Sequence, residues 1–254
     1  MEPDQKKHKK PMNTLEHLKQ TEVINVEVAG IDASLTNGTL ILFLAAALVV
    51  SFYFIVGRKA KLVPSLTQSA AELILDFIRS EMLSPLGREG EKWLPFLVSL
   101  FSLILVSNLL GLIPGFVPPT SNINVTATLA VIVFFTTHIT GLRKHGPWSY
   151  LKSIVPEGLP FFIAAFLFPL ELIGQLARPF SLTVRLFANL FAGHAIIITL
   201  VSLIIIFKSF LIAPFPVIGN TAIMAFEIFV AFIQAFVFTY LSASYIVGAL
   251  QTEH

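Results

Sequence analysis

The chain has 254 residues, of which 55% are hydrophobic and only 13% charged, with a mean hydropathy of +0.81 and a formal net charge of +2. That balance excludes a soluble globular domain and indicates a polytopic helical membrane protein, because the apolar runs are too long for the strands of a soluble core. The small, dispersed charge argues against nucleic-acid binding, and the lack of Cys excludes a disulfide framework or a thiolate metal site.

Residues 1–37 read as a polar N-terminal region, 38–250 as a single helical membrane domain and 251–254 as a short tail. Lys6, Lys7, Lys9 and Lys10 lie too far ahead of the first apolar run to begin a signal peptide, so no cleavage is expected. The first span is predicted from Gly38 to Gly57 and stops at Arg58, Lys59 and Lys61. After it, Leu66, Ala70, Leu73, Phe77 and Ile78 recur at helical spacing, with Glu72, Asp76 and Arg79 elsewhere around the helix. This pattern predicts an amphipathic helix over about 63–84, lying on the membrane surface or covering the cytoplasmic ends of its neighbours. Further spans are predicted from Trp93 to Ile113, ended by Pro114-Gly115 and Pro118-Pro119, and from Asn124 to Thr140, ended by Gly141.

The second half is irregular. From Leu159 to Phe207 the apolar run is interrupted by Pro160, Pro169, Glu171, Arg178, Pro179, Arg185 and His194. As one helix it would extend about 75 Å, more than twice the ~30 Å of bilayer hydrocarbon. It therefore breaks near Pro179 or runs strongly tilted. Pro214 and Pro216 predict a turn from Leu211 to Gly219, and a last span runs from Asn220 to Leu250. Residues 159–250 thus read as a long tilted helical hairpin, completing five crossings in an all-α fold. The basic loops at Arg58–Lys61 and at Arg143, Lys144, His145 and Lys152 place the N-terminus outside and the C-terminus in the cytoplasm.

Arg185 is the only formally charged residue between Phe180 and Phe207. A guanidinium at that depth costs from about 2.5 to more than about 10 kcal/mol, depending on the scale, and usually marks an ion or proton path. Asn189 lies one turn on and His194 follows in the same segment, while Glu227 and Gln234 sit seven apart in the next. An antiparallel hairpin can bring the two stripes together, with His194 and Glu227 as a candidate proton relay. Arg178 reads as a snorkelling or structural residue, and Glu171 as either a pathway group or an interhelical contact. Asn108 reads as a helix-binding amide or a channel neighbour, His138 and Lys208 as interfacial residues, and Gly193 as a packing site.

The run Ser181-Leu-Thr-Val-Arg185-Leu-Phe-Ala-Asn189-Leu-Phe-Ala-Gly193-His194, preceded by Glu171, resembles the signature helix of subunit a of the F-type ATP synthase. Ser107-Asn108-Leu-Leu-Gly-Leu-Ile-Pro114 and the pair Glu227 and Gln234 extend the resemblance, which covers roughly Val63 to the C-terminus. It implies a proton-translocating stator subunit in a bacterial plasma or inner membrane. Its implied partners are a rotating c-ring whose subunits carry an essential carboxylate, b-type peripheral-stalk subunits, the rest of the ATP synthase and membrane lipids. Arg185 matches the essential arginine and proton gate; Asn189, His194, Glu227 and Gln234 match the proton path, with Asn108, Glu171 and Ser181 as secondary candidates. The resemblance implies no cofactor, metal or nucleotide site in this chain, phosphate chemistry being carried by other subunits. The chain departs from some members in the order of His194 and Glu227, and in having Gly111 where others carry an acid. A secondary transporter with an anion-binding arginine predicts two corresponding halves, which a five-crossing chain lacks. A purely structural subunit leaves the five polar groups without a common reason.

Overall fold

The computed structural model describes residues 22–24, 27–28, 31–32, 35–113, 116, 118–152, 160–207 and 214–251. Four short strands, β1 (Glu22–Ile24), β2 (Glu27–Val28), β3 (Ile31–Asp32) and β4 (Leu35–Thr36), precede the helices. They form two antiparallel pairs, β2 with β3 between β1 and β4 in the chain, so Val28 faces Ile31 and Glu22 faces Thr36. No periodicity in the polar N-terminal region announces strands this short.

The helices are α1 (Asn37–Arg58), α2 (Leu66–Met82), α3 (Leu94–Gly111), α4 (Ile123–His145), α5 (Pro147–Lys152), α6 (Phe161–Phe207) and α7 (Pro214–Leu250). Five of them, α1, α3, α4, α6 and α7, are long and apolar enough to cross a membrane. The helix α2 is not among these five, and Ser65 caps it by accepting a hydrogen bond from the Gln68 amide. A 3-10 segment (Ser84–Lys92) joins α2 to α3, and a 3-10 turn (Pro119–Ser121) leads into α4.

The core is organised around α3. Leu97, Phe101 and Ile104 are fully enclosed, and Phe101 meets Phe77 of α2 and Phe232 of α7 edge to face or tilted. The helix α1 is peripheral, burying one stripe of Ile41, Ala45 and Val49 and binding α3 through Tyr53 and Ser102, 2.9 Å apart. On α7, the buried small residues Ala231, Ala235, Ser242, Ala243 and Ala249 let neighbouring backbones approach closely.

The helix α6 runs unbroken through Pro169 and Pro179, which resolves the alternative of a break in favour of one continuous helix of 47 residues. Of the turn predicted over Leu211–Gly219, residues 211–213 lie outside the described residues and 214–219 are helical. Pro214 and Pro216 lie in the first turn of α7, where the amide that proline lacks would have no intrahelical partner. Contacts between α6 and α7 pair Arg178 with Tyr245, Gly193 with Glu227 and Leu200 with Gly219, so the two helices are antiparallel.

The 3-10 segment is tied on three sides: Arg79 of α2 to Glu91, Lys144 of α4 to Glu89, and Gln251 beyond α7 to the Pro85 carbonyl. The hydrogen bond from Lys144, and then its charge, hold the Glu89 carboxyl below the usual carboxylate range. A lowered folded-state value stabilises above the ordinary range and is lost as pH falls through the folded value. Protection of the amides in residues 84–92, relative to their intrinsic exchange, should therefore fall once the pH drops below the ordinary carboxylate range, and Lys144→Met should already lower it at neutral pH. Protection insensitive to both would remove this tie from the fold.

At Gly111 an added Cβ would collide with the Pro118 ring. Gly111→Asp should thus act as overpacking, costing roughly 1–3 kcal/mol and lowering the melting temperature in detergent. Unchanged melting would mean that the Pro118 loop yields freely.

Candidate functional site

The helix α6 anchors its inner side with buried Leu182, Thr183 and Leu186, and this packing turns Arg185 outward. Arg185 is exposed and makes no ion pair with a described residue. Around it on the same face lie Ser181, Ala188, Asn189 and Ala192, all exposed and all short, so a helix from another molecule could approach the guanidinium. Phe180 and Val184 extend this face as apolar surface.

A second polar group sits inside the bundle on α7. Glu227 and Gln234 are buried, and the Asn220 side-chain oxygen one heptad earlier is buried with no partner. Glu227 reaches α6 at Gly193, where an added Cβ would overlap its Oε1. The glycine is therefore more than a packing site: its missing side chain is the space the carboxylate occupies. Asn108, fully buried on α3, accepts a 2.7 Å hydrogen bond from Thr120 and donates one of 3.4 Å to the Ala231 carbonyl. Ala231 lies between Glu227 and Gln234 on α7, so this amide holds the helix that carries both. The His194 side chain lies outside the described residues.

A third group lies further back along α6. Glu171 pairs with Arg178 at 3.6 Å, and the Arg178 guanidinium stands 5.1 Å from the centre of the Tyr245 ring. Both residues line a cleft of about 350 Å³ between α4, α6 and α7, shared with Thr137, His138, Gln175 and Ser244 and closed on one side by Tyr150. Burial raises the Tyr150 phenol above its ordinary range, offset in part by the charge of Arg178.

The predicted residues thus separate into three places. Glu171 and Arg178 meet in the cleft, Glu227 and Gln234 with Asn108 belong to the interior, and Arg185, Asn189 and Ser181 share the outer face. Gly193 of α6 lies against Glu227 of α7, whereas Arg185 and Asn189 of the predicted α6 stripe are exposed. At ~1.5 Å per residue, Arg185 stands about 10 Å along α6 from Arg178 and about 12 Å from Gly193. Sequence reasoning named His138 as interfacial and did not single out Tyr150 or Tyr245, which line the same cleft. The available signal was Gly141, whose missing side chain admits the Tyr150 ring. Among the described residues, no three His, Cys, Asp or Glu side chains gather as a metal site.

The family model described as ATP synthase A chain matches residues 39–247. The chain is 41% identical over 234 residues to an ATP synthase subunit a of Chloroherpeton thalassium, covering 90% of this chain and 70% of that protein. It is 37% identical over 229 residues to the subunit a of Rhodospirillum rubrum, covering 90% and 94%. With the subunit a of Magnetococcus marinus it shares 41% identity over 252 residues, 94% and 93% of the two chains.

Gly193→Ala should force the Glu227 carboxylate off α6 while leaving helix formation intact, since Ala favours a helix over Gly by about 1 kcal/mol. Proton uptake by vesicles carrying the variant should fall severalfold at normal protein abundance. Uptake equal to that of the unaltered chain would show that Glu227 does not work from this position.

Proposed function

We propose that this chain, which belongs to the ATP synthase A chain family, carries protons along two offset half-channels that meet at Arg185 and so couples proton flow to rotation of a c-ring. The observation that carries the reading is the order along α6: the Glu171–Arg178 cleft on one side of Arg185, and the Glu227 group at Gly193 on the other. Protons enter through the interior group of Asn220, Glu227, Gln234 and Asn108, with His194 beside Gly193 in the chain, and leave through the cleft. The N-terminus lies outside and the C-terminus in the cytoplasm, so the cleft, near the C-terminal ends of α4 and α7, opens to the cytoplasm. The helix α2 lies at the interface, in keeping with the exposure of Leu66 and Leu73 on one part of it and charged residues on the rest.

The outward face of α6 takes the c-ring, and the remaining partners are the b-type stalk subunits and the other ATP synthase subunits. A guanidinium stays protonated over the accessible pH range and offers five donors. A ring carboxylate facing Arg185 is stabilised as the anion, so it releases its proton to one half-channel. It must take a proton from the other before returning to lipid, where a bare charge is costly. Positive charge between the two channels also repels a proton that would hop directly across.

Arg185→Ala should leave insertion and abundance intact or improved, because it removes an expensive charge from a span. ATP-driven proton pumping and proton-driven ATP synthesis should fall to background, with passive leakage rising. Arg185→Lys should rescue poorly, since a single ammonium lacks the planar fork and deprotonates more readily when desolvated. Reconstituted complexes matched for subunit content provide the measurement. Coupled activity near normal in Arg185→Ala would overturn the proposal.

A further inference from the structure

His138 is held in one orientation. Its Nδ1 lies 2.8 Å from the Tyr150 hydroxyl, and the Phe134 ring stands edge-on with its centre 4.2 Å away. Tyr150 is itself buried and fits into the notch at Gly141, one helical turn beyond His138's neighbour Thr137. The chain thus devotes a short helix and a glycine to seating one tyrosine against one histidine.

The space beside this pair, about 350 Å³, has room for water and is lined by both apolar and polar side chains. Thr137, whose hydroxyl oxygen is buried with no hydrogen-bond partner among the described residues, lines the same cleft. Charged or titratable groups face the cleft from each side: His138 on α4, Tyr150 on α5, Glu171 and Arg178 on α6, and Tyr245 on α7. His138 Nε2 has no hydrogen-bond partner among the described residues.

We propose that His138 is a proton-exchanging residue of this cleft, with Tyr150 as the positioning residue that fixes its ring. The inference rests on the reading of the cleft as the outlet of the proton path. When Nδ1–H donates to the Tyr150 oxygen, Nε2 keeps its lone pair. A proton delivered by cleft water binds Nε2 and leaves from the same atom to water nearer the surface. No other bond changes, and imidazole is the side chain whose ordinary titration lies nearest neutrality. A purely structural strut between α4 and α5 would need a hydrogen-bonding group but no titratable one, and this difference separates the two roles.

The test uses the whole ATP synthase in sealed vesicles, with abundance and subunit content matched. His138→Gln retains a group able to bond Tyr150 but cannot carry a proton, and should slow ATP-driven proton pumping by at least about threefold. His138→Ala should show a similar loss, restored by imidazole supplied on the side of the cleft, whereas imidazole should leave the unaltered complex unchanged. Tyr150→Phe should cause a smaller loss, since the ring persists with less fixed orientation. Full pumping in His138→Gln, or a loss in His138→Ala that imidazole does not restore, would overturn the proposal. Arg185→Ala in the same vesicles keeps the two levels apart. If it abolishes pumping while the His138 variants pump normally, only the role of His138 falls; if it pumps normally, the reading of the path falls with it.

Discussion

Water stabilises a guanidinium and lipid does not, and this chain supplies Arg185 with no carboxylate of its own among the described residues. The surroundings of Arg185 follow from that constraint. Leu182 and Leu186 turn the side chain outward, and the residues beside it are short enough for a foreign carboxylate to come near. The acids that could have neutralised it are placed elsewhere: Glu171 is engaged by Arg178, and Glu227 is folded inward at Gly193. An internal partner would have made the arginine a structural pair, stabilised but inert. In the proposed function, leaving the charge incomplete makes the chain dependent on a partner's carboxylate.

The continuity of α6 serves the same end. Pro169 and Pro179 each remove one helix hydrogen bond, to the carbonyls of Ala165 and Gln175, yet the helix passes through both. The helix packs against both α4 and α7. A single rigid element therefore carries the Glu171 cleft, Arg185 and Gly193 in fixed order. Two separate helices would have let the spacing between these groups drift.

The spans were legible because apolar runs of bilayer length have few other uses, and Arg185 was legible because one charge in such a run is conspicuous. Glu227 and Gln234, read from their spacing as sharing a face of α7, are both buried. Periodicity could not say which face turns inward, because nearly every position on these helices is apolar and the contrast that fixes orientation in a soluble helix is absent. For that reason the stripes holding Arg185 and Glu227 read as able to come together, although Glu227 is enclosed and Arg185 exposed. The His138 pair was invisible for another reason: Tyr150 reaches it from a different helix after a turn at Gly146, whose φ of 78° no hydropathy pattern encodes. The extent of the last turn was hidden because proline both ends helices and begins them, and only the position within α7 distinguishes the two.

The three ties on the 3-10 segment have a mechanical consequence. In the proposed function, any sideways push that a rotating ring delivers to α6 and α7 must be returned by the rest of the chain, or the two helices would simply be dragged along. Arg79, Lys144 and Gln251 join α2, α4 and the end of α7 to the same nine residues, so at that end the bundle is triangulated. Each exposed ion pair is worth little as a thermodynamic bond. As braces, however, the three resist shear in different directions, and the load on any one of them is shared with the other two.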